Sequence, residues 1–236
     1  MSEFDARLDG VRAQLIAQSE RVYTLLLNAV DVAFDLDPRR AMELARADEE
    51  IDREDVAIER ACVDALILPE SDPYRIRAVL AVVKINNELE RIADCAVNVA
   101  TVVEEYGDEL DGTPPATFRV MANSVIGIVR DANRALVELN VDLARQVLGF
   151  DETVASFKDE IGLDAEQRVA AGDFTVSFAF RLRTIVANLE RVADHATNIC
   201  EQVIYLESGK TVVQRSGRWS EPTLPDADAD AKASGH

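Results

Sequence analysis

Along most of the chain, apolar residues recur at steps of three and four, the period of a helix with one buried stripe. Leu8, Val11, Leu15, Val22, Leu25 and Leu26 share one side of a first predicted helix, from about Glu3 to Asp35. Asp37 and Pro38 restart the pattern as N-cap and first helical residue. A second helix is predicted to run from there to Leu68, where Pro69 stops it. Ser71-Asp72-Pro73 opens a third, predicted to reach Tyr106 and to end at Gly107. The stretch GDELDGTPP, from Gly107 to Pro115, is the strongest break in the chain.

Beyond that break the plan repeats. A fourth helix is predicted over Ala116–Asn140 and a fifth over Val141–Ile161. After the weakly patterned GLDAEQRVAAG, a sixth is predicted from Asp173 to Gly209. The third helix carries a seam of Ile85, Leu89, Ile92, Ala96, Val99, Val103 and Tyr106. The sixth matches it with Ile185, Leu189, Val192, Ala196, Ile199, Val203 and Leu206. The expected fold class is all-α, with two tandem antiparallel three-helix bundles related by internal duplication. Residues 1–111 are expected to form the first bundle and residues 112–210 the second. Residues 211–236 are expected to be an acidic, disordered tail, because PDADADAKASGH is too polar to pack.

Composition narrows the class. Asp and Glu number 44 against 25 Lys and Arg, a formal net charge of −19. Such a chain is repelled by phosphate backbones and anionic lipid, which argues against nucleic acid as a partner. No apolar run is long enough to span a bilayer, and the N-terminal MSEFDARLDGVR lacks the apolar core of a secretory signal. A cytoplasmic protein without membrane insertion is expected. Cys62, Cys95 and Cys200 form no paired motif and sit within apolar patterns, so they read as structural thiols of a reducing compartment. The chain has 2 histidines and shows no nucleotide-binding loop, zinc cluster or nucleophile–base pair, so it is expected not to be an enzyme.

The candidate chemistry lies in a phrase written twice: LERIADCAVNVA from Leu89 and LERVADHATNIC from Leu189. With Leu189 at zero, Glu190, Asp194 and Asn198 fall near about 100°, about 140° and about 180° around the helix. Glu90, Asp94 and Asn98 take the same angles, so both polar rows point away from the seam. Carboxylates four residues apart repel by a few tenths of a kcal/mol, and a cation between them reverses the sign. Their oxygens suit Mg²⁺, Ca²⁺, Mn²⁺ or iron. In the second helix Asp48 and Asp52 offer a facing pair. In the fifth, Asp151 matches Asp48, but Ala155 stands where Asp52 would be. The second row is one carboxylate short unless Glu152 or Asp159 substitutes. His195, opposite Cys95 in the duplication, reads as a surface or interface residue and not as a ligand. Arg91 and Arg191 flank the rows, and ordinary surface ion pairs are the plainer alternative.

On NLERVADHATNICEQVIYLESGK (Asn188 to Lys210), its echo ELERIADCAVNVA (Glu88 to Ala100) and DEEID (Asp48 to Asp52), the chain resembles the PhoU family over roughly residues 5–209. These are accessory proteins of the phosphate-specific transport system. The resemblance implies two three-helix bundles, frequently in a homodimer. In some members it also implies surface clusters of iron or another divalent metal (manganese, zinc or magnesium) and no organic cofactor. The family's E/D-x-x-x-D motifs would place the metal ligands at Asp48, Asp52, Glu90, Asp94, Asp151, Glu190 and Asp194. The implied role is non-enzymatic: restraint of phosphate uptake and of phosphate-starvation signalling. The implied partners are the ATP-binding subunit of the phosphate ABC transporter and the phosphate sensor histidine kinase. The chain departs from the family at Ala93 and Ala193, where glycine is frequent, at Cys95, where histidine or tyrosine is commoner, and at Ala155. Two other readings stay open on the residues alone. One is a metal-dependent enzyme or metal-handling bundle with the acidic rows as its active site, and the other is a helical interaction protein with no metal.

Overall fold

Helix α1 (Glu3–Asp35) begins where Ser2 and Asp5 satisfy each other's backbone N–H groups, a reciprocal cap that removes two orphan donors. It ends at Leu36, which turns left-handed at φ 51°. Helix α2 (Pro38–Ala45), α3 (Asp48–Leu66) and α4 (Pro73–Tyr106) complete the first half. The second half comprises α5 (Ala116–Glu138), α6 (Val141–Leu148), α7 (Asp151–Ala171) and α8 (Val176–Ser208). The computed structural model describes residues 2–45, 48–69, 72–106, 112–209, 212–215 and 218–220.

Four of the six predicted helices differ from the sequence expectation. The single second helix expected from Pro38 to Leu68 is two helices, α2 and α3, the latter ending at Leu66. The fourth ends at Glu138 because Leu139 turns left-handed at φ 50°. Asn140 then caps α6 by accepting the Leu143 N–H. The fifth divides at Gly149 and Phe150, whose N–H groups close turns onto the Gln146 and Val147 carbonyls. It also outlasts Ile161 by a further ten residues, because Ile161 and Ala165 are buried and hold GLDAEQRVAA in α7 until the left-handed Gly172. The sixth starts at Val176, with the Thr175 hydroxyl accepting the Phe178 N–H. Each half therefore follows one plan: a long helix, a short one, a medium one and a long one.

The predicted seams are the core, except that Tyr106 at the end of α4 is half-buried against it. Ile85, Leu89, Ile92, Ala96, Val99 and Val103 are buried, as are all seven predicted seam residues of α8. Full burial of each large side chain is worth about 1.5–3 kcal/mol. Helices α4 and α8 lie antiparallel along each other. The Glu88 carboxylate meets His195 and Asn198, Lys84 stacks on Tyr205, and the Arg181 guanidinium lies 3.4 Å from the Tyr106 ring centroid. Helices α1 and α5 are also antiparallel: the Asn133 side chain donates to the Ser19 carbonyl at 3.0 Å, and Phe34 meets Phe118 edge-on. The two bundles thus share a central layer of α1, α4, α5 and α8. Helix α3 flanks it on α4 and α1, and α7 flanks it on α8 and α5.

Cys62, Cys95 and Cys200 are free and buried. Burial, and then the charge of Glu59, push the Cys62 thiol up to about 11, so it is an inert packing group. Among the described residues no helix is long and apolar enough to cross a membrane. Where a disordered tail was expected, β1 (Val213–Arg215) pairs antiparallel with β2 (Arg218–Ser220). Residues 211, 216, 217 and 221–236 of that tail lie outside the described residues.

Candidate functional site

The carboxylates of the two rows stand on the outer faces of the two long helices, as the angular reading requires; Asn198 departs from it, half-buried and donating to Glu88 at the α4–α8 contact. In α4, Glu90 is half-buried while Asp94 and Asn98 are exposed. Helix α3 runs back beside this face and brings two more carboxylates to it. The side-chain amide of Asn86, one turn before Glu90, donates to the Asp55 carboxylate at 2.6 Å and to the Asp55 carbonyl at 3.1 Å. Burial, then the charges of Asp94 and Asp55, raise Glu90 above the usual carboxylate range; Arg91 opposes this and Asp52 adds to it. Asp55 is raised likewise by burial, then by Glu59 and Asp52. Asp52, Asp55, Glu90 and Asp94 are therefore one electrostatic unit. Asp48 opens α3, and its side chain lies outside the described residues.

The donor chemistry of this row fits a hard cation: oxygen ligands whose mutual repulsion a bound charge would relieve. Behind them Asn86 is fully buried, and its amide oxygen has no partner among the described residues. The carboxylates do not, however, form a coordination shell. Among the described residues no three His, Cys, Asp or Glu side chains converge closely enough to hold a metal ion.

The second row is built differently. Glu190 is half-buried and Asp194 is exposed one turn later, but Lys158 of α7 reaches across to Glu190. Its Nζ lies 2.7 and 2.9 Å from the two carboxylate oxygens. That hydrogen bond, reinforced by the charges of Glu190, Asp159 and Asp194 against the opposing effect of burial, raises Lys158 above its ordinary value. Asp151 opens α7 with its side chain outside the described residues, as is that of Glu152. Ala155 and Asp159 are both exposed. Beside the pair, a groove of about 370 Å³ runs between α7 and α8 over Ile161, Gly162, Ala165 and Leu182.

Between the two rows, at the contact of α4 and α8, lies a polar cluster. His195 Nδ1 is 2.8 Å from Glu88 Oε2, which also accepts from Asn198 at 3.0 Å. Burial would raise Glu88, but the His195 and Asn198 hydrogen bonds outweigh it and hold the carboxyl below its usual range. A few residues along, burial first and then the charge of Glu88 push Glu201 up to about 7, with Lys84 opposing. His195 is thus an interface residue.

The sequence reading missed Asp55, Asn86 and Lys158. The signal was available in the register that pairs Asp151 with Asp48, because it also pairs Lys158 with Asp55. Asp55 has no acidic partner four residues behind it, so a search for E/D-x-x-x-D passes over it.

Comparison with known proteins gives one consistent result. The family model described as PhoU domain matches residues 16–103 and again residues 118–203. The chain is 29% identical over 210 residues to the phosphate-specific transport system accessory protein PhoU homolog 1 of Thermotoga maritima, covering 89% of this chain and 90% of that protein. It is 22% identical to the accessory protein PhoU of Escherichia coli, over 97% of this chain and 95% of that one. Among solved structures, PhoU from Pseudomonas aeruginosa matches with a TM-score of 0.82 at 28% identity, covering 88% of this chain and 100% of that chain. The phosphate transport system regulatory protein PhoU from Streptococcus pneumoniae shares the fold with a TM-score of 0.82 at 21% identity, over 90% of this chain and 100% of that one.

Proposed function

The chain belongs to the PhoU family, and from that premise we propose that it is a non-catalytic accessory regulator of phosphate transport. In this reading it restrains uptake through a phosphate ABC transporter and restrains the two-component signalling that reports phosphate starvation. It acts by contact with the ATP-binding subunit and the sensor histidine kinase, in the cytoplasm, as a homodimer. The observation that carries the reading is coverage. Both repeats match the family model, and the similarity to accessory proteins of phosphate transport extends over nearly the whole chain.

A cation enters this reading at the first row. Iron, manganese or another divalent ion would bind to Asp52, Glu90 and Asp94, with Asp55 beside them and Asp48 at the start of α3. Bound there, it would supply charge neutralisation: a face of four carboxylates would become one that an acidic or neutral partner surface can approach. The chain's own residues set where this happens, because burial and then the charges of Asp94 and Asp55 already raise Glu90 above the usual carboxylate range.

The test is genetic. Deletion of the gene in its own host should raise phosphate uptake in phosphate-replete medium and switch on phosphate-starvation reporters, and the full chain supplied in trans should reverse both. Uptake and reporters that stay at the wild-type level in the deletion strain would overturn the proposal.

A further inference from the structure

The two outer helices share one register. Ile51, Ile58 and Cys62 of α3 are buried at the same spacing as Val154, Ile161 and Ala165 of α7. In that register Asp52 corresponds to Ala155 and Asp55 to Lys158. On the long helices Asn86 corresponds to Val186 and Glu90 to Glu190. Three differences between the repeats act in one direction: a carboxylate is deleted, a carboxylate is exchanged for an ammonium, and the buried amide behind the row becomes an aliphatic side chain. The first row carries Asp52, Asp55, Glu90 and Asp94. The second carries Glu190 and Asp194 with Lys158 between the helices, its Nζ on both oxygens of Glu190.

We infer that Lys158 is a covalently tethered replacement for a bound cation, so that the second repeat's row is closed to divalent metal and any response of this chain to metal is confined to the first repeat. The chemistry follows from geometry. A metal arriving at Glu190 would have to displace two charge-assisted hydrogen bonds and remain beside the displaced ammonium, with two carboxylates fewer to hold it than in the first row. The ammonium is attached to the backbone, so its local concentration does not fall when free metal is scarce. The second face therefore keeps one charge state at all metal concentrations, while the first is free to change. This inference rests on the proposed reading of the first row as a cation site.

The experiment titrates the full-length chain with Mn²⁺, following heat and metal retained after desalting. Three variants accompany the wild type: Glu90→Gln/Asp94→Asn, Glu190→Gln/Asp194→Asn, and Ala155→Asp/Lys158→Asp. Wild type should bind one set of Mn²⁺ ions, weakened at least tenfold in Glu90→Gln/Asp94→Asn and unchanged in Glu190→Gln/Asp194→Asn. The Ala155→Asp/Lys158→Asp variant should bind about twice as much metal. Loss of Mn²⁺ in Glu190→Gln/Asp194→Asn would overturn the inference, and so would a folded Ala155→Asp/Lys158→Asp chain that gains none. If wild type takes up no Mn²⁺, the cation reading of the first row fails. A gain in the Ala155→Asp/Lys158→Asp variant would still establish Lys158 as the surrogate. Should that variant not fold, Lys158→Gln serves instead. Saturating Mn²⁺ should raise its melting temperature by more than it raises that of the wild type, and an equal or smaller rise would overturn the inference.

Discussion

The α3–α4 face and the α7–α8 face descend from one pattern, yet they solve the same electrostatic problem in opposite ways. Both put a glutamate and an aspartate one turn apart on the outside of a long helix. On the first face further carboxylates, Asp52 and Asp55, are added and the repulsion stays; on the second, Lys158 removes it. The seams beneath are nearly identical: Leu89 and Leu189, Ile92 and Val192, Ala96 and Ala196, all fully buried. Duplication has preserved what folds the protein and has let the solvent side diverge.

The largest test concerns what the halves share. Leu89→Ala and Leu189→Ala should each cost about 2–5 kcal/mol, because each leaves a cavity in a fully buried seam. Urea titration would measure both, and a loss confined to one repeat would show that the shared central layer is not one cooperative unit. Next comes an asymmetry at the α4–α8 contact, where Glu88, His195 and Glu201 oppose Asn188, Cys95 and Thr101 in the duplication. Glu201 is raised from 4.5 to about 7, so between those values the folded state binds more protons than the unfolded one. Its contribution is fully present below pH 4.5 and lost as pH rises through 7. Glu201→Gln should therefore raise stability at pH 8, by about 1 kcal/mol once its partial exposure is discounted, and flatten the fall between pH 5 and 8. Thermal melts across that range would show it; an unchanged pH profile would remove Glu201 from the account.

The smallest effect bears most directly on the rows. In metal-free buffer, Glu90→Gln relieves repulsion and should stabilise the fold by roughly 0.5 kcal/mol. Glu190→Gln weakens the Lys158 pair and should destabilise it by a similar amount, roughly 0.5 kcal/mol. The opposite signs matter more than the sizes, and equal signs in paired melts would break the contrast between the faces.

The seams were legible in the sequence because a stripe of period three to four leaves no choice of buried face. Residues 89, 92, 96 and 99 could point nowhere else. The rows were legible for the same reason, by elimination. The joints were less so. Leu36 and Leu139 both turn left-handed, a conformation that costs an ordinary residue about 1–2 kcal/mol, and no leucine advertises it. The continuation of α7 past Ile161 was hidden by Gly162 and by a run of polar residues whose partner surface, on α8, lies far away in sequence. Lys158 was invisible for a related reason: a lysine on a polar helix face carries no period, and only the neighbouring helix gives it a role.

The shared central layer also sets an order of events during synthesis. Residues of α1 and α4 that meet α5 and α8 have no cover of their own, and the Ser19 carbonyl waits for Asn133, more than a hundred residues downstream. A ribosome delivering the chain N-terminus first therefore presents a half-finished apolar wall until α8 has left the exit tunnel. Until then the nascent first repeat is a natural client for chaperones. Two copies of the first repeat that meet at that moment could also close on each other, in place of the second repeat still to come.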